Sequence, residues 1–176
     1  MKKILLLFVC LFVCWALFAQ QRIKVACVGN SITYGTGLDD RATQSYPVQL
    51  QKLLGEHYEV ENFGKPGATL LNQGHRPYTR QEEYRKALDF AGDIVVIHLG
   101  INDTDPRDWP NYRDSFVTDY LNLMDTFRKA NPDVRIIIAR MTPIADRHNR
   151  FLSGTRDWHG EMQTAIETVA HYAGVQ

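Results

Sequence analysis

The chain has 176 residues, with 20 basic and 20 acidic side chains and no formal net charge. A neutral chain without a stripe of Lys and Arg lacks the electrostatic footprint of a nucleic-acid binder, so no such partner is expected. This length fits one domain with a sizeable core.

The chain opens with Lys2 and Lys3, then an apolar run from Ile4 to Phe18, then Ala19. That is the order of a cleaved export signal over residues 1–19. The run is shorter than the ~18–20 residues a membrane-spanning helix needs. The expectation is a bacterial periplasmic or extracellular protein, mature over residues 20–176, with no stable membrane association after cleavage. Of the three cysteines, Cys10 and Cys14 lie in this segment. Only Cys27 remains, which excludes an intramolecular disulfide. It sits in an apolar run and reads as a small buried residue.

Four apolar, β-branched runs follow, at 23–28, 57–62, 93–99 and 134–141. The last is nearly continuous, the pattern of a strand buried on both faces. Between them lie helical patterns. The first starts at Ser45-Tyr46-Pro47, with Ser45 as cap, and carries Val48, Leu50, Leu53 and Leu54 at helical spacing. The second covers 79–90, with Tyr84, Ala87 and Leu88 on one side. The third covers 111–130, with Phe116, Tyr120, Leu123, Met124 and Phe127 on one face, and ends at Asn131-Pro132. The fourth runs from Thr155 to Ala173 and stops at Gly174. Val175 and Gln176 would open a fifth strand. Strand–helix alternation predicts a parallel, doubly wound sheet of the three-layer α/β/α, flavodoxin-like kind. Sites in such sheets lie at the carboxyl ends of the strands.

Three motifs fall at those ends: Gly29-Asn30-Ser31-Ile32-Thr33, Asn62-Phe63-Gly64-Lys65-Pro66-Gly67-Ala68-Thr69 and Gly100-Ile101-Asn102-Asp103. They supply a hydroxyl, a glycine N–H and an asparagine amide. A serine hydroxyl beside a base attacks an ester carbonyl, and N–H donors hold the oxyanion that forms. The glycines lack dinucleotide-fingerprint spacing, and no Gly-Lys-Ser/Thr phosphate loop occurs. No histidine pair has metal-ligand spacing. Neither a cofactor nor a metal is expected.

These motifs resemble the GDSL, or SGNH, hydrolases, whose four blocks carry Ser, Gly, Asn and His in that order. The resemblance spans about residues 25–175. It implies Ser31 as nucleophile and the Ser31 N–H, the Gly67 N–H and the Asn102 amide as oxyanion hole, with Asn30 and Asp103 in support. Asn30 stands where the family has Asp. The fourth block, Asp-x-x-His after a fifth strand, does not occur before Gln176. The resemblance therefore implies a domain incomplete at its carboxyl end and inactive as it stands. Asp146-Arg147-His148 and Asp157-Trp158-His159 are the nearest substitutes for the base.

The loops over the site carry Gln73, His75, Arg76, Tyr78, Arg107, Trp109 and Asn111. Polar groups mixed with flat aromatics suit sugar hydroxyls and ring faces. His75, Arg76, Trp109 and His148 are the candidates for a substrate cleft. Within the family, the resemblance is to acetylesterases of carbohydrate, and over Met141–His159 to sialate O-acetylesterase-type proteins. The expected partner is an acylated carbohydrate. The rival reading is a carbohydrate-binding domain that kept the cleft and lost the base.

Overall fold

A computed structural model describes residues 22–144 and 155–175. The export signal expected over 1–19 and the His148 segment lie outside the described residues. Strand β1 (Ile23–Gly29) is followed by short helices α1 (Ser31–Tyr34) and α2 (Arg41–Gln44) and by α3 (Tyr46–Leu54). Next come β2 (Tyr58–Gly64), α4 (Glu82–Phe90) and β3 (Ile94–His98). The chain closes with α5 (Trp109–Tyr112), α6 (Phe116–Ala130), β4 (Arg135–Ile138) and α7 (Thr155–Ala173).

The sheet is fully parallel, in the order β2-β1-β3-β4, and helices flank it. β1 is central, and its residues from Val25 to Gly29 are all buried. Gly29 stands opposite Gly64 on one side and His98 on the other. The exits of β1, β2 and β3 therefore meet at one edge of the sheet, where the three motifs begin.

The helical faces follow the sequence pattern for α4 and α6. Ala87 is buried, with Tyr84 and Leu88 packed on the core. All five apolar residues expected on the third helix are buried. They join an edge-to-face aromatic chain, with Trp109 on Phe116 at 5.4 Å and Phe116 on Tyr120 at 5.8 Å. Such contacts add stabilisation beyond the buried area. Cys27 is fully buried, and burial pushes its thiol up to about 12.

Four expectations are corrected. Ser45 precedes α3 but does not cap it: its hydroxyl is buried without a partner. The chain passes directly from α2 into α3, and Ser45 closes α2 by donating its N–H to Arg41 O. Leu53 is 85% exposed, because α3 lies on β2 at the sheet margin and buries only Pro47. β4 is shorter than 134–141 and alternates, with Arg135 exposed and Ile136 and Ile138 buried. Among the described residues it is the sheet edge, open on one side. Val175, the last described residue, is not in a strand. Its N–H turns back to Ala170 O, with Gly174 at φ +62°, which is a helix stop.

Candidate functional site

Ser31 is the first residue of α1, separated from the end of β1 by Asn30 alone. Asn30 caps that helix: its Oδ1 accepts the Ile32 N–H at 3.0 Å. An asparagine oxygen does this as an aspartate oxygen would, so the cap survives the departure from the family's Asp. Asn30 is buried, and its Nδ2 has no partner. The Ser31 N–H lies in the first turn, where helix N–H groups have no intrahelical acceptor.

The short helix is pinned by two features of β2. Asn62 donates Nδ2 to Thr33 O at 2.9 Å and accepts the Gly64 N–H at 2.9 Å. Gly64 lets the two backbones touch, since a Cβ there would run into Tyr34, whose Cα would be 2.7 Å away. Asn62 carries a positioning role that its place inside a strand run concealed.

The loop after β2 starts with Lys65 N–H on Gly29 O at 2.9 Å. Gly67 follows at φ +78°, the left-handed region where glycine is favoured. The loop then folds back on itself. Thr69 donates its N–H to Arg76 O at 2.8 Å and accepts the Tyr78 N–H at 2.8 Å.

The third motif forms a turn of 3-10 helix over Ile101–Thr104. Asn102 donates one amide N–H to Ala68 O at 2.8 Å. Its amide group therefore stands beside the Gly67 loop, with a second N–H to give. Asp103 is fully buried, and its two carboxylate oxygens accept the Leu70 N–H at 2.9 Å and the Leu71 N–H at 2.7 Å. Burial pushes its carboxyl up to about 7, against the pull of those two N–H groups; the nearby Asp108 charge adds to the rise. Three side-chain bonds thus join the third motif to the loop of the second: one to Ala68 within it, and two to Leu70 and Leu71 just after it.

His75 and Asp108 form a pair that the sequence did not show. Asp108 is buried, and its two oxygens meet the His75 N–H at 2.9 Å and the His75 Nδ1 at 2.5 Å. The His75 side chain is 28% exposed. The partners are 33 residues apart, too far for any local pattern to link them. Nearby, the Arg107 guanidinium holds the Asp105 carboxyl down at about 2.

Arg76 is exposed, and its Nη1 donates to Pro66 O at 3.0 Å, beside Gly67. Trp109 borders a hollow between α6 and α7 with Arg113, Val117, Glu161 and Ala165, and no residue of the three motifs lines it. Trp109 is 2% exposed and belongs to the core, where its ring stands edge-to-face with Phe116. Tyr78 is likewise buried, its hydroxyl donating to Phe63 O at 2.7 Å. The aromatic half of the expected sugar platform is thus internal, and the polar half, Gln73, His75, Arg76 and Arg107, remains at the surface. His98 is buried at the end of β3, where burial lowers its pKa. His159 donates Nε2 to Thr142 O at 3.1 Å, so that nitrogen carries a proton and is not free to accept one.

An acetylxylan esterase of Xylanibacter ruminicola is 45% identical over 109 residues, 62% of this chain. The matched stretch is 22% of that relative's length, so this chain spans about a fifth of it. A carbohydrate acetylesterase family member from Sinorhizobium meliloti shares the fold, with TM-score 0.66 and 20% identity over 86% of this chain and 80% of that one. An aryl esterase of M. smegmatis superposes with TM-score 0.56 and 18% identity over 86% and 81% of the two chains. The family model of the GDSL-like lipases and acylhydrolases matches residues 27–176, which contain all three motifs. The chain belongs to the GDSL-like lipase/acylhydrolase family.

Proposed function

We propose that the chain carries the reacting centre of a secreted serine esterase that removes acetyl or other short acyl groups from carbohydrate, with sialate or polysaccharide O-acetyl esters as the substrate class. The observation that carries the reading is the bond from Asn102 Nδ2 to Ala68 O. It brings an amide donor from the exit of β3 to the glycine loop at the exit of β2, and Asn62 ties that strand to the helix that starts at Ser31. The names of the acetylxylan esterase and carbohydrate acetylesterase relatives support the carbohydrate ester.

In this reading the Ser31 Oγ attacks the acyl carbonyl, and its proton passes to an imidazole base. The carbonyl oxygen becomes an oxyanion held by the Ser31 N–H, the Gly67 N–H and the second N–H of Asn102. Collapse breaks the bond to the sugar oxygen, which leaves with a proton from the base. Water then releases the acyl group from Ser31 by the same steps. Asp103 and Asn30 touch no reacting atom; they hold the loop and the helix that do. The base is the part this reading leaves to His148 or to an Asp-x-x-His block.

The test is acetate release from acetylated xylose and sialic acid, and from nitrophenyl acetate and decanoate, by the chain and by Ser31→Ala. Hydrolysis of acetyl esters in preference to decanoate, lost on Ser31→Ala, supports the reading. Saturable sugar binding with no hydrolysis would favour the binding domain. Turnover that survives Ser31→Ala would remove the serine mechanism.

A further inference from the structure

We propose that Arg76 is a specificity-determining residue that binds a carboxylate on the sugar portion of the substrate, so that the preferred substrates are O-acyl esters of acidic sugars. This rests on Ser31, Gly67 and Asn102 being the reacting centre.

Three observations carry it. First, Arg76 lies against the glycine of the oxyanion hole. A Cβ on Gly67 would be 3.2 Å from its Nη1 and 3.8 Å from its Cζ. Second, the guanidinium is unmatched. Lys65 pairs with Glu83, His75 with Asp108 and Arg107 with Asp105. Arg76 has no carboxylate partner among the described residues, and its one bond is to the neutral Pro66 carbonyl. A guanidinium has five N–H donors in a planar fork that matches a carboxylate, and the others are left to give. Third, the direction is informative. Arg76 occupies the side of Gly67 where a side chain would project, which diverges from the N–H. In this proposal the alcohol portion of the substrate lies on that side, and the oxyanion on the side of the Gly67 N–H. The Arg76 N–H bond to Pro66 O fixes the head in place, which lowers the ordering cost of binding.

The experiment compares acetate release from O-acetyl galacturonic acid, its carboxyl methyl ester and O-acetyl sialic acid. The methyl ester differs from the parent acid only by loss of charge. The expected result is a kcat/KM about tenfold higher for at least one acid than for the methyl ester, as for a charge-assisted hydrogen bond. That ratio should shrink with added salt. Arg76→Gln should bring it near one, and Arg76→Lys should restore part of it. The acid with the higher kcat/KM identifies the source of the carboxylate. No preference for either acid, or an equal fall on all three substrates in Arg76→Gln, would overturn the proposal. Absence of hydrolysis by this chain, in which no Asp-x-x-His occurs, bears on the base and not on Arg76. The Arg76 site is then read by NMR titration with galacturonate and galactose. Shifts of the Arg76 Nε and Gly67 amide signals with galacturonate alone support it, and equal response or none overturns it.

Discussion

The Asp103 carboxylate accepts the backbone N–H of Leu71 at 2.7 Å, across 32 residues of chain and inside the core. The other oxygen takes the Leu70 N–H. One side chain thus fixes the loop that carries Gly67 to the turn that carries Asn102.

Asp103→Asn should lower stability by about 1–3 kcal/mol, because an amide NH2 must face one of the two N–H donors. The native pKa lies near 7, above the ordinary 3.8. Between those values the folded protein holds more protons at this site than the unfolded chain. The site's contribution therefore falls as pH rises from about 4 through 7. Urea unfolding at several pH values measures both effects: Asp103→Asn should be less stable at pH 7 and have a flatter slope across that window.

Asn102→Ala should reduce kcat by roughly 100–1,000-fold with little change in KM, since an oxyanion donor acts in the transition state. Steady-state kinetics on an acetyl ester decide it. A rise in KM alone would make Asn102 a substrate-binding residue.

Gly64→Ala should be strongly destabilising, by about 1–3 kcal/mol or more, because the new Cβ meets Tyr34 backbone rather than a movable side chain. Gly160→Ala is the contrast. It lies within α7 with nothing within 4 Å of its Cβ position, and should gain about 0.5–1 kcal/mol from helix propensity. Thermal unfolding of the two variants should move in opposite directions.

His75→Ala and Asp108→Ala should be coupled. Either change breaks the side-chain bond between them, so the double variant should lose less than the sum of the single ones. The coupling expected for directly bonded groups is about 0.5–3 kcal/mol. A double-mutant cycle in urea measures it, and additive losses would mean that the pair contributes nothing to the loop.

The sequence by itself determined the order of elements, the parallel sheet and the buried face of α6. Those follow from periodicity, and Phe116, Tyr120 and Phe127 repeat at a spacing that admits one face only. It also located the three motifs, because a strand exit can be read from where an apolar run stops. Tertiary structure decided what spacing cannot encode. Leu53 has the helical spacing of a core residue, yet α3 sits where the sheet no longer covers it. Trp109 and Tyr78 look like a binding surface in two polar loops, yet both rings turn inward, Trp109 onto Phe116 and Tyr78 with its hydroxyl on Phe63 O. The Asp103 bonds to Leu70 and Leu71 and the His75–Asp108 pair join residues more than thirty positions apart. Such contacts come from the crossing of two loops at one sheet edge, and no local pattern carries that geometry.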